Sequence, residues 1–265
     1  MRIQVVAVNH GTTAYADLLL RSLITHHPKR SELAILLLDN GSADLERLAW
    51  AQAFGVEIRQ SGYTRDTQVT THGEILRNAV LSHADCDAYL FVDVDVCFMA
   101  DDTIGAMAAE LATDNDLFAV QAVWSNENGE DYDSGDGSSA NISRVRESVR
   151  FAGAADWPEP YEFDTGYGDR VHPFCVLLRN DRVFRNAVEV TGLSPAQLQC
   201  ERGALWFDTL GLLTQIMKTH GRTWRTSGQR VIHFGNVSWD TAWAENKAER
   251  RDALLDRYAV PTPPR

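Results

Sequence analysis

The sequence predicts an α/β fold built on a doubly wound, mostly parallel sheet, with a smaller irregular region in its second half. Three observations carry this expectation. Apolar runs at 3–8 (with Gln4 inside it), 34–38 and 88–92 read as strands, the continuous run at 34–38 as one buried on both faces. Helical patterns separate them. Each run ends in a polar stretch, at Asn9-His10-Gly11, Asp39-Asn40-Gly41-Ser42 and Asp93-Val94-Asp95, and open parallel sheets bind ligands beyond such strand ends.

Taken in order, Ile3 to Val8 is β-branched-rich, and Thr12 or Thr13 is placed to cap a helix through Leu18-Leu19-Leu20 and Leu23-Ile24 that stops before Pro28. Ala34 to Leu38 forms the second strand, followed by another amphipathic helix. Val56 to Arg59 makes a short third strand. Thr71-His72-Gly73-Glu74 has the Thr-x-x-Glu form of a capping box opening a helix through Ile75, Leu76, Ala79, Val80 and Leu81. Ala88 to Val92 is the fourth strand and runs straight into Asp93-Val94-Asp95. Downstream, Val171 to Leu178 reads as a strand, Phe207 to Thr219 as a helix ending at Gly221, and Asp240 to Tyr258 as a charged amphipathic helix before a Pro-rich tail.

The segment from Asn126 to Asn141 is polar and glycine-rich and reads as a surface loop. Its length makes it a candidate lid over a bound ligand. Asp131-Tyr132-Asp133-Ser134-Gly135-Asp136-Gly137 fails as a calcium loop, because Gly135 stands where a third ligand is needed and no Glu falls at position twelve. With no internal repeat, the 265 residues are expected to form a single domain. It divides into a regular strand–helix half at 1–100, an irregular half at 101–240, and a C-terminal helix and tail at 241–265.

Composition narrows the function. With 25 Lys+Arg against 37 Asp+Glu, the formal charge of −12 opposes binding to nucleic acid or to an anionic membrane surface. An acidic protein handling an anionic substrate must neutralise it locally, and a divalent cation does so. Cys86, Cys97, Cys175 and Cys200 form no Cys-x-x-Cys pair and are too few to staple the chain, which implies a reducing, cytoplasmic setting. No stretch approaches the roughly 18 apolar residues of a membrane span, and the N-terminal apolar run is shorter than a signal-peptide core, so neither a transmembrane segment nor secretion is expected.

Two carboxylates at i and i+2 where an apolar strand ends can meet one cation, so Asp93 and Asp95 are candidate ligands. Oxygen donors suit Mg²⁺ or Mn²⁺, which complete their shells with water and diphosphate oxygens. The plain alternative is a pair of turn-forming aspartates. Four segments together change the balance: Val5-Val6-Ala7-Val8-Asn9, Leu36-Leu37-Leu38-Asp39-Asn40-Gly41-Ser42, Gly73 with Arg77-Asn78, and Tyr89-Leu90-Phe91-Val92-Asp93-Val94-Asp95. In order and spacing over residues 3–100 they resemble the family 2 type of glycosyltransferase with the GT-A fold. The resemblance implies a nucleoside-diphosphate sugar (UDP-, GDP- or dTDP-linked) as donor. It further implies that Asn9 and Asp39 lie against base and ribose, that Arg77 lies near the donor, that Asp93 touches ribose or metal, and that Asp95 ligates the metal, with Val94 between them.

Two later segments extend the likeness. Leu205-Trp206-Phe207-Asp208-Thr209-Leu210-Gly211 has Phe207-Asp208 where the family carries an acidic pair, so the resemblance offers Asp208 alone as the base that deprotonates the acceptor. An aspartate N-cap is the plain alternative. Trp206 has the ring to stack on a sugar, or to sit in a core. The second segment, Arg230-Val231-Ile232-His233-Phe234-Gly235, resembles the metal-binding histidine many GT-A enzymes place near the chain's end, which implies His233 as a third ligand. His10 follows the first strand, and His172-Pro173 with Asp164-Thr165-Gly166 is expected to border the acceptor pocket. The function expected is an inverting, metal-dependent sugar transfer. The alternatives are a retaining transferase, suggested by His233-Phe234-Gly235 with Trp239, and a catalytically silent nucleotide-sugar-binding module. A nucleotidyltransferase is disfavoured, because Asn9-His10-Gly11-Thr12-Thr13 has no lysine and no repeated glycine for a triphosphate.

Overall fold

A computed structural model describes residues 1–28, 31–64, 71–130, 145–149, 161–165, 170–200, 203–238 and 241–262. Its strands are β1 (Ile3–Asn9), β2 (Leu33–Asp39), β3 (Val56–Gln60), β4 (Ala88–Val92), β5 (Val96–Phe98), β6 (Leu117–Ser125), β7 (Val145–Val149), β8 (Tyr161–Thr165), β9 (Cys175–Arg179), β10 (Ala196–Cys200), β11 (Gly203–Phe207) and β12 (Thr223–His233). The helices are α1 (Thr13–His26), α2 (Thr71–Ser82), α3 (Thr103–Ala112), α4 (Arg182–Thr191), α5 (Gly211–Thr219), α6 (Thr241–Asn246) and α7 (Ala248–Arg257), with a 3₁₀ helix at Leu45–Phe54.

The main sheet has eight strands in the order β3-β2-β1-β4-β9-β6-β12-β5. β1 pairs in parallel with β2 and β4, β2 with β3, and β6 with β12. β9 lies antiparallel between β4 and β6, and β5 antiparallel to β12. Every strand except β5 and β9 therefore runs the same way, and the mostly parallel α/β sheet is as expected. Along β1 every residue is buried, and alternate side chains serve opposite faces. Val5 and Ala7 join a core with α1 and α3, through Leu19, Leu23, Ile104 and Met107; Val6 and Val8 join one with α2, α4 and α5, through Leu76, Phe184 and Ile216. This double burial is why β1 is apolar at every position but Gln4 and the terminal Asn9. Among the described residues no helix is long and apolar enough to cross a membrane.

Several expectations change in detail. The helix after β2 is 3₁₀, because its apolar residues Leu45, Leu48, Ala51 and Phe54 recur every third position, the period of that helix. Thr12 is the N-cap residue of α1 but makes no side-chain capping bond; Asn9 Oδ1 accepts from its N–H instead. Thr71 lies inside α2 rather than before it, and Glu74 accepts from Ser194 Oγ at 3.0 Å, so these two do not form a capping box. Gly73 is needed where α2 meets that segment: a Cβ there would stand 2.3 Å from Ser194 Cα.

The expected strand at Val171 starts only at Cys175, after Pro173, which has no N–H to give a ladder. The expected helix from Phe207 starts at Gly211, and Phe207 closes β11, which pairs with β10. The C-terminal helix is two helices, broken at Lys247. The side chains of Asp164 and Trp206, residues 131–141 of the expected loop with its rejected calcium pattern, and Trp239 lie outside the described residues, as do residues 166–169.

Candidate metal and donor site

At the carboxyl end of β4 the chain turns sharply. Val96 N–H donates to the Asp93 carbonyl at 3.1 Å, and Asp93 N–H donates to the Phe174 carbonyl at 2.9 Å. This tight turn breaks strand geometry, so Asp93 and Asp95 address one space. The returning strand β5 pairs with β12 so that Val96 faces His233, and the Asp95 carbonyl accepts from Phe234 N–H at 3.0 Å. His233 Nε2 consequently stands 3.2 Å from Asp95 Oδ1 and 3.5 Å from Asp93 Oδ2. The ligand atoms of all three lie within 4.8 Å of one another, a group that could hold a metal ion.

Asp95 and His233 are buried, whereas Asp93 keeps 26% of its side chain exposed. Burial opposes protonation of His233, but Asp95 and Asp93 outweigh it and push the imidazole up to about 9. Burial likewise opposes ionisation of Asp93, and the hydrogen bond from His233 with the charges of His72, His233 and His172 holds it below the usual carboxylate range. His72 Nε2 is 3.8 Å from Asp93 Oδ1. The two carboxylates thus favour a positive charge beside them, carried by the His233 proton in the metal-free protein. Two carboxylates and an imidazole match the donors that Mn²⁺ accepts.

These residues line a cavity of about 300 Å³. Its lining includes His10, Asn40, Thr71 and His72 from the ends of β1 and β2 and the start of α2, together with Trp124, Arg170, His172, Asp208 and Thr209. Asp208 lies in the turn between β11 and α5, closed by Gly211 N–H donating to its carbonyl at 2.7 Å. The residue at the N-cap of α5 is Leu210, with φ 62°, so Asp208 is not the helix cap. Its carboxylate is oriented by Arg170, whose Nη2 donates to Oδ2 at 2.7 Å, and by its neighbour Thr209 N–H, which donates to Oδ1 at 2.7 Å. His172 is pushed down to about 4 by burial and by Arg170, which leaves it neutral near pH 7.

The structure thus brings Asp93, Val94, Asp95, His233 and Asp208 to one cavity, with His10 and His172 on its wall. It places Asn9 and Asp39 differently. Both are fully buried and do not line the cavity. Asn9 Nδ2 donates to Asp39 Oδ1 at 2.8 Å and to Ser42 Oγ at 2.9 Å, and Asp39 Oδ2 accepts from Ser42 N–H at 2.8 Å. Their work here is to hold the two strand ends together, while their chain neighbours His10 and Asn40, joined at 3.1 Å, face the cavity. Arg77 is also elsewhere: its guanidinium donates to the carbonyls of Val188 and Glu189 at the end of α4 and takes no part in the cavity wall. His72, Trp124 and Arg170 carry no motif. Only the place of Trp124 at a strand end could have drawn attention to it.

No family profile matches the sequence, and no curated protein matches it. Solved structures do. A mannosyltransferase from Pyrobaculum calidifontis, in complex with GDP-Man and Mn²⁺, aligns over 99% of this chain and 66% of its own, with TM-score 0.54 and 17% identity. This chain therefore spans about two thirds of that protein's length. S. aureus TarS (residues 1–349) aligns over 97% of this chain and 70% of its own, with TM-score 0.54 and 12% identity. A mycobacterial protein aligns over 98% and 76%, with TM-score 0.51 and 15% identity. The fold is therefore the GT-A fold that the strand-end motifs imply.

Proposed function

We propose that the chain is a metal-dependent glycosyltransferase that moves a sugar from a nucleoside-diphosphate sugar to an acceptor hydroxyl, with inversion. The observation that carries this is the meeting of Asp93, Asp95 and His233 in the cavity that also holds Asp208. Asp93, Asp95 and His233 would hold Mn²⁺ or Mg²⁺, which when bound offsets the negative charge of the donor diphosphate. His10 and Asn40 would face the nucleoside, held by the buried Asn9–Asp39 pair behind them. Asp208, aimed by Arg170, would accept the acceptor hydroxyl's proton as that oxygen bonds to the anomeric carbon. The bond from that carbon to the diphosphate breaks, and the diphosphate leaves with the electron pair. Asp164 and Trp206 are assigned to the acceptor side on sequence grounds. The unpaired thiols of Cys86, Cys97 and Cys175 support a reducing, cytoplasmic setting.

A second reading is transfer with retention. The engagement of both Asp208 carboxylate oxygens favours it, since Oδ2 already accepts from Arg170 and Oδ1 from Thr209 N–H. The test is to incubate the chain with Mn²⁺ and GDP-, UDP- and dTDP-linked sugars, and to read donor turnover and the anomeric coupling of the product by proton NMR. Turnover with an inverted anomer supports the proposal. A retained anomer selects the second reading. Tight nucleotide-sugar binding with no hydrolysis or transfer would make the chain a silent binding module and overturn both.

A further inference from the structure

We propose that Trp124 is a positioning residue that fixes the rotation of the His233 ring and so sets the metal affinity of the site; this rests on the metal reading above. A histidine that ligates a metal is ordinarily oriented by a hydrogen bond from its other ring nitrogen. His233 lacks that bond: its Nδ1 is buried and has no partner among the described residues. The backbone of His233 is fixed by pairing with β5, but pairing does not decide where the imidazole edge points. Packing does. The ring lies stacked on Phe174, with centroids 5.0 Å apart and planes 8° from parallel, and Trp124 packs against both, 4.2 Å and 49° from the imidazole and 5.6 Å from the Phe174 ring. The arrangement directs Nε2 toward Asp93 and Asp95.

Trp124 is itself tied to the residue it packs against. Its Nε1–H donates to the His233 carbonyl at 2.8 Å, so the indole spans both backbone and ring of one residue. Gly235 makes room for it: a Cβ there would stand 2.9 Å from Trp124 Cζ2. With the indole removed, the imidazole gains rotational freedom, and that freedom must be lost again when Nε2 engages a cation. Removing a residue that orients a metal-bound histidine typically changes metal affinity by about 10- to 100-fold.

The experiment measures Mn²⁺ binding to the full chain by the EPR signal of free Mn²⁺, beside thermal unfolding, so that its main readout is not activity. Trp124→Leu and Trp124→Met, which lack a ring, are expected to weaken Mn²⁺ binding about tenfold. Trp124→Phe, which keeps a ring face and loses only the Nε1–H bond, is expected to weaken it less than about threefold. Phe184→Leu, a core change on the opposite face of the sheet, is expected to lower the melting temperature and leave Mn²⁺ affinity unchanged. In a His233→Gln background, Trp124→Leu is expected to add no further loss. Unchanged affinity in both ringless variants would overturn the inference, as would an equal loss with and without His233. If the wild-type chain binds no Mn²⁺, the metal reading and this inference fail together; if only the Trp124 results fail, the metal reading stands.

Discussion

Between Asp93 and Asp95, a protonated His233 stabilises the metal-free protein, and this gives stability a pH dependence with a definite sign. The imidazole is raised from 6.5 to about 9 in the folded protein. Its contribution is therefore fully present below pH 6.5 and is lost as pH rises through about 9. At about 1.36 kcal/mol per pH unit the interval corresponds to roughly 3 kcal/mol; because Asp93 is 26% exposed, screening by water reduces the expected loss to on the order of 2 kcal/mol. Asp93, held below its usual range, contributes in the opposite sense: its share is present above the unfolded carboxylate value and is lost on acidification. The assay is urea unfolding of the metal-free wild type and of His233→Gln across this range. Other titrating groups are common to both chains, so their difference isolates the imidazole. That difference should shrink by on the order of 2 kcal/mol from pH 6.5 to 9. A difference constant across the range would refute the argument.

Other consequences are independent of this one. Gly73→Ala should lower stability by about 1–3 kcal/mol in denaturant unfolding, because the new methyl meets the Ser194 backbone at 2.3 Å and backbone yields little; an unchanged midpoint would contradict the contact. Asp17 is fully buried and accepts from Arg21, Arg47 and Trp50 Nε1, joining α1 to the 3₁₀ helix. Asp17→Ala should cost on the order of 3 kcal/mol, read from the same unfolding curves. Asp208→Asn should lower transfer by about 100-fold or more, with Mn²⁺-dependent nucleotide binding intact; undiminished turnover would remove Asp208 from the role of base.

The first half of the fold was legible because β1, β2 and β4 are largely buried on both faces and are written as predominantly apolar runs. Ile3–Asn9, Leu33–Asp39 and Ala88–Val92 differ from the runs read in the sequence only at their ends. The second half was less so. Asp208 follows an amphipathic pattern that suggests a helix from Phe207, but the pairing of β11 with β10 claims that residue, and the helix starts only after a left-handed Leu210. Asn9 and Asp39 were visible as strand-end polar residues; that they bond to each other, and leave His10 and Asn40 to line the cavity, depends on the register of two strands. Trp124 and His233 are 109 residues apart. Their contact is made by the parallel pairing of β6 and β12 and has no local signature.

The central claim is that Asp93, Asp95 and His233 hold a divalent cation that receives a nucleoside diphosphate. Calorimetric titration of GDP and UDP into the chain, with and without Mn²⁺, tests it most directly, with Asp95→Ala as the comparison. The account predicts binding that requires Mn²⁺ and is lost in Asp95→Ala, while that variant still unfolds cooperatively. Equal nucleotide binding in the presence of chelator, or full Mn²⁺-dependent binding by Asp95→Ala, would contradict it.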